Sequence, residues 1–176
     1  MNVKLAVGET SIECMQSNVD NQSDVDALFY YLAETHEHPT DGVQSPTVDL
    51  RPGQSVLEPL PGFPGRHRIV ARGPEAVDDN LATEIFKCCL ENALALCEQE
   101  AIRSVALPLT EGMITRVPVA HAAEIAAEVV IDHARRGGNL KVIRFALSSA
   151  LELNTLPRHL IRAAASDHWI LAASNV

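Results

Sequence analysis

Apolar and polar positions alternate over two short runs at the start of the chain, residues 2–7 and 11–16, joined by Gly8, Glu9 and Thr10. A period of two on either side of a glycine turn predicts a β-hairpin. Residues 25–32 are almost continuously apolar after a polar stretch, which suits a buried strand, although pattern alone leaves a helix open. Periodicity then vanishes from Glu34 to Gly65, where Pro39, Pro46, Pro52, Pro59, Pro61 and Pro64 break every window. That stretch predicts loops with at most brief strands. Residues 66–71 read as a strand that stops at Gly73 and Pro74.

A helical period appears over residues 77–99. Leu81, Ile85, Cys88, Cys89 and Leu96 fall near one face, and Leu90, Leu94 and Cys97 widen it. Asp78, Asp79 and Glu84 sit at its positive end, as the helix dipole favours. Residues 104–109 are a short apolar strand. Pro118 suits a first helical position, and Ala122, Ile125, Ala126, Val129 and Val130 follow at helical spacing. Arg135, Arg136, Gly137 and Gly138 close that helix. Residues 140–147 form the next strand, Thr155 and Pro157 open a further helix running to about residue 165, and residues 168–173 suit a last strand. Strands alternating with helices predict an α/β fold: a three-layer α/β/α arrangement with a central mixed sheet flanked by helices. No internal repeat or linker divides the 176 residues, so residues 1–176 read as one domain.

Charge narrows the function. Fourteen Lys and Arg against twenty-three Asp and Glu leave a net charge of −9. A surface of that sign repels phosphate backbones and anionic lipid, so neither nucleic acid nor a membrane is an expected partner. One small phosphate ligand held by backbone N–H groups stays compatible with it. Cys14, Cys88, Cys89 and Cys97 contain no Cys-x-x-Cys pair and read as buried free thiols. With no long apolar run and no signal-peptide pattern, the expected compartment is the cytoplasm.

The segment from Leu109 to Pro118 carries most of the candidate chemistry. It follows a strand and opens a helix, which in an α/β sheet places it at the carboxyl edge, where ligands bind. The backbone N–H groups from Gly112 to Thr115, with the helix start at Pro118, can cradle an anion. His36, Glu37, His38 and Asp41 are metal-ligand types, but no second cluster completes a tetrahedral set. His121 and Glu124 lie one helical turn apart and read as a solvated face. Gly-x-Ser-x-Gly, Walker and Gly-x-Gly-x-x-Gly motifs do not occur. No metal and no cofactor is implied.

Taken in order, these signals resemble a macro domain, the fold that commonly binds ADP-ribose. The resemblance runs from about residue 2 to residue 165. Its carriers are the run from Ser104 to Gly112 (Ser-Val-Ala-Leu-Pro-Leu-Thr-Glu-Gly), Val117 and Pro118, the Ala-rich stretch from Ala122 to Ala126, the strand from Arg68 to Pro74 that ends in Gly-Pro, and Val25 to Phe29. It implies a divergent module that binds an ADP-ribose-like or other nucleotide or phosphate ligand. The implied contacts are Thr110, Glu111, Gly112, Met113, Ile114, Thr115 and Arg116, with Gly42 and Val43 opposite and Asn18 in place of the family's acidic residue for adenine.

The chain also departs from the family. Tyr30, Tyr31, Leu32 and Ala33 stand where the family has Asn-Ala-Ala-Asn, and Ala33 lacks the donor and acceptor of the second Asn. Thr40, Asp41, Gly42 and Val43 replace a Gly-Gly-Gly-Val loop, and Asp41 adds a negative charge where a diphosphate would lie. Hydrolysis of an ADP-ribosyl bond needs a positioned water, and the residues that would position it are missing, so no efficient hydrolase is expected. Two alternatives stand beside binding. One is an interaction or structural domain with an abandoned cleft, in which Leu57, Leu60 and Phe63 serve a homodimer or a protein partner. The other is an enzyme of altered specificity, with Glu111 and Asp41 as an acid/base pair.

Overall fold

A computed structural model of the chain describes residues 3–32, 50–75, 78–110 and 117–166. Among them, seven strands form one mixed sheet: β1 Val3–Val7, β2 Thr10–Gln16, β3 Ala27–Leu32, β4 Ser55–Pro59, β5 His67–Arg72, β6 Ser104–Pro108 and β7 Val142–Leu147. The helices are α1 Asp79–Gln99, α2 Val119–Arg136 and α3 Ala150–Ala165. The strand order is β1-β2-β7-β6-β3-β5-β4. The five inner strands run parallel, and β1 and β4 close the edges antiparallel.

Handedness sets the layers. The steps β5→β6 and β6→β7 move the same way across the sheet, and each carries a helix. Right-handed crossovers put such helices on one face. α1, α2 and α3 accordingly share one core with the alternate positions Phe29 and Tyr31 of β3, Val105 and Leu107 of β6, and Ile143, Phe145 and Leu147 of β7. The step β2→β3 moves the opposite way, and its short 3-10 turn (Val19–Asn21) lies on the other face, where Val19 and Val25 bury Leu28, Ala106 and Ala146. That face is also charged. Register aligns Lys4, Glu13 and Arg144 on three neighbouring strands and Arg68 with Glu58 at the far edge. Lys4 lies 3.1 Å and Arg144 2.9 Å from the Glu13 carboxylate, and Arg68 lies 2.6 Å from that of Glu58. Cross-strand ion pairs of this kind select register more than they add stability.

The hairpin forms as the alternation predicts, with Gly8 at φ +57° in its turn. β4 is the brief strand within the proline-rich region. Leu57 packs against the helix-side core and Leu60 against the other face, whereas Phe63 is 54% exposed beneath the Arg66 guanidinium.

Four expectations need correction. Leu81 and Cys88 are exposed rather than buried, because the buried stripe of α1 centres on the side of Phe86, Leu90, Ala93, Leu94 and Cys97. Cys88 therefore also departs from the buried-thiol reading, while burial pushes the Cys14, Cys89 and Cys97 thiols up to about 12. Pro118 is the cap of α2, not its first residue: its ψ of 142° is extended, and its carbonyl accepts the first helical bond from Ala122 at 2.9 Å. Lastly, α3 begins at Ala150, not at Thr155, and Pro157 lies inside it. A capping box of Ser149 and Glu152 starts the helix upstream of the proline. The missing N–H of Pro157 removes one helical bond, which is tolerated because its ring is buried in the core. The last strand expected at residues 168–173 lies outside the described residues. No described helix is long and apolar enough to cross a membrane.

At the other end of α1, the Glu98 carboxylate accepts N–H bonds from Asn139 and Leu140 at 2.5 and 3.2 Å and contacts His133 Nε2 at 3.0 Å. A Cβ on Gly138 would collide with that carboxylate. Burial raises the Glu98 pKa, but the two N–H bonds and His133 outweigh it and leave the pKa below its ordinary value of 4.5. A depressed carboxylate contributes stability that is present above its unfolded pKa and lost as pH falls through the folded one. Glu98→Gln should therefore lower stability at neutral pH and show a shallower further loss below about pH 4.5 than the parent. Denaturant midpoints measured across that range check it, and parallel acid limbs would contradict it.

Candidate functional site

Asp26 precedes β3. Its Oδ2 accepts from the N–H groups of Arg103 and Ser104 at 3.1 and 3.0 Å and from Ser104 Oγ at 2.9 Å. Its own N–H donates back to Ser104 Oγ at 2.9 Å. This staple joins the lower ends of β3 and β6, and the strands then pair only at Ala27↔Val105 and Leu28↔Ala106. Their outer neighbours stay in register to the top, with Leu32↔Arg72 on one side and Pro108↔Ala146 on the other. So the sheet is closed at the bottom and splits between β3 and β6 toward the carboxyl edge. Pro108 ends β6 in the split; a proline in a central strand belongs where a ladder is interrupted.

This split is also where the chain changes direction. β6 leads through α2 toward β7, and β3 leads the opposite way toward β4. In an open α/β sheet, such a switch point is where ligands bind. The segments beginning at residues 33 and 111 leave from its two sides.

The α2 end nearby suits an anion. Asp78 caps α1, and Ser149 with Glu152 caps α3. α2 has no side-chain cap and no acidic residue in its first turn. Among the described residues, no side chain caps its first N–H groups at the positive end of the helix dipole.

Two of the sequence-derived site residues are described. Asn18 follows β2 at the carboxyl edge, exposed, with no capping bond from its side chain. Thr110 follows β6 at the same edge, two strand spacings from Asn18, or roughly 10 Å. Glu111, Gly112, Met113, Ile114, Thr115, Arg116, Gly42 and Val43 lie outside the described residues, as do Ala33, Asp41 and the His36, Glu37 and His38 group. The described residues contain no group of three His, Cys, Asp or Glu that could hold a metal.

Tyr30 stands at the family's first amide position and Tyr31 at the alanine after it, and the two take separate roles. Tyr30 points to the charged face, where its hydroxyl donates to Asp20 at 2.8 Å. Burial and then Asp20 push its pKa up. Tyr31 lies under α1, edge-on to Phe29 with ring centroids 4.8 Å apart. A Cβ on Gly73 would stand 3.3 Å from the Tyr31 ring, a tight contact that the glycine of the Gly-Pro pair relieves.

Sequence reasoning missed Glu152. It is 1% exposed, and its carboxylate accepts five hydrogen bonds. Oε1 takes Thr110 N–H at 3.1 Å and Thr110 Oγ1 at 2.5 Å. Oε2 takes Ser148 N–H at 3.0 Å, Ser148 Oγ at 3.3 Å and Ser149 N–H at 3.1 Å. The Ser-x-x-Glu spacing from Ser149 to Glu152 was the available signal, though it announces only the helix cap.

An α/β protein whose mixed, mainly parallel sheet splits at its topological switch point is the class that this geometry defines. The Macro domain family model matches residues 32–126, and the chain belongs to that family. The match takes in the last residue of β3, all of β6, both segments beside the split and the start of α2. Among solved structures, the Oceanobacillus iheyensis macrodomain with MES bound aligns at a TM-score of 0.80 and 16% identity, over 95% of this chain and 99% of that one. The same macrodomain with ADP aligns at 0.77 and 15%, over 95% and 98%. The Trypanosoma brucei macrodomain in complex with ADP-ribose aligns at 0.64 and 18%, over 84% and 68%. At these identities the likeness is one of fold. A comparison with curated proteins finds no match.

Proposed function

We propose that this chain is a single-domain, non-catalytic macro-domain module that binds ADP-ribose or a closely similar nucleotide diphosphate in the split between β3 and β6. The observation that carries the reading is the split itself: two neighbouring parallel strands, stapled at Asp26 and Ser104, part at the carboxyl edge beside the start of α2, which no described side chain caps. An acidic protein can hold an anion there because the donors are backbone N–H groups, which carry no net charge and need no Lys or Arg. The Macro domain match and the ADP and ADP-ribose complexes of fold relatives favour this ligand class. Catalysis is disfavoured because Tyr30, at the family's first amide position, is committed to Asp20, and Ala33, at the second, has no side-chain donor or acceptor.

Calorimetric titration with ADP-ribose, with AMP and ADP as controls, tests the reading. One site with micromolar affinity is the expected result. No heat and no thermal shift at millimolar ADP-ribose would overturn it. Release of ADP-ribose from a modified protein substrate would overturn the non-catalytic part alone.

A further inference from the structure

We propose that Glu152 is a positioning residue of this site: its buried carboxylate sets the pose of Thr110, the root of the β6–α2 segment, against the first turn of α3. The inference rests on the reading above that this segment contacts the ligand.

The register explains why one carboxylate can do this. Pro108 pairs with Ala146, so Thr110 and Ser148 would face each other two positions further along the β6–β7 ladder. The ladder stops before that pair, and the N–H groups of Thr110 and Ser148 both turn to Glu152. Capping α3 needs only the bond from Ser149 N–H to Oε2. Oε1 is directed instead across 42 residues of sequence to Thr110, through both its backbone and its hydroxyl. Buried N–H groups must find acceptors, and two carboxylate oxygens offer enough lone pairs for five donors. Glutamine has the same shape but only one accepting oxygen, and its amide nitrogen would face N–H donors. Either Thr110 or the Ser148 and Ser149 pair would then lose its acceptor.

Three variants separate positioning from helix capping. Glu152→Gln should weaken ADP-ribose binding about tenfold or more, with stoichiometry still near one. Glu152→Asp keeps the charge and the helix cap but is one methylene short of Thr110, so it should weaken binding to a similar degree and serves if the glutamine variant does not fold. Ser149→Ala removes the acceptor for Glu152 N–H yet leaves the contacts to Thr110 intact. It should lower stability and leave the dissociation constant unchanged. A merely structural Glu152 would reduce the folded fraction, and so the stoichiometry, without changing the affinity of the molecules that remain folded.

Hydrogen exchange without ligand gives an independent readout. The Thr110 amide should exchange at least about tenfold faster in the two Glu152 variants and stay protected in Ser149→Ala. If the parent fails to bind ADP-ribose, the ligand reading fails, and the exchange of Thr110 still decides whether Glu152 holds the loop root. Unchanged Thr110 exchange, or the same pattern in all three variants, would overturn the positioning role.

Discussion

Phe29→Ala lowers the stability of the fold by about 3–5 kcal/mol, the largest single-site loss we expect from the β3 strand. Phe29 is fully buried in the middle of β3, within the core that joins the sheet to all three helices. Its ring meets Tyr31 edge-on at 4.8 Å, and such a pair adds about 0.5–1.5 kcal/mol beyond area burial. Phe145 and Phe86 fill the same layer, so the surrounding side chains are too large and too constrained to collapse into the gap. A domain of this size has roughly 5–15 kcal/mol in total, so the variant should sit near its folding threshold at 37 °C. Urea melts at 25 °C measure the shift. A loss below about 1 kcal/mol would mean that the region under α1 relaxes freely, contrary to its close packing.

Gly112→Glu abolishes measurable ADP-ribose binding, an effect of at least about 100-fold, while leaving the melting temperature unchanged. Gly112 lies outside the described residues, between Thr110 and Val117. The segment leads to the start of α2, which no described side chain caps and where backbone N–H groups rather than side chains are the proposed donors. A carboxylate added about 5 Å from a phosphate at an effective dielectric near 20 opposes it by about 3 kcal/mol, which accounts for the 100-fold. Gly112→Ala separates charge from bulk, because it adds the Cβ without the carboxylate. Titration calorimetry on both variants decides the matter, and an affinity within about threefold of the parent for Gly112→Glu would remove this segment from the site.

Much of the fold was legible in the residues. The alternation of residues 2–7 and 11–16 around Gly8, the apolar run at 25–32 and the short strands before Gly73 and Pro118 each report a local pattern that the sheet preserves. The start of α3 is hidden in the sequence by Pro157, because an interior proline ordinarily breaks a helix, whereas here the Ser149 and Glu152 capping box starts α3 upstream and the helix runs through the buried proline. The buried side of α1 was misplaced because periodicity gives a face but not its partner. Phe86, Ala82 and Ala93 meet the sheet and α2, which leaves Leu81 and Cys88 to solvent.

Sequence by itself determined the α/β class, the resemblance to a macro domain, and the order in which Asn18 and Thr110 follow their strands. These follow from periodicity, turn residues and motif order, which are local along the chain. Only the tertiary structure decided which strands are neighbours. Register brings Asp26 to Ser104 across 78 residues and Glu152 to Thr110 across 42. It also opens β3 from β6 after two rungs. No local pattern encodes such meetings, because each depends on strand order and on the hand of the crossovers, and these are settled only when the helices bury their apolar faces on one side of the sheet.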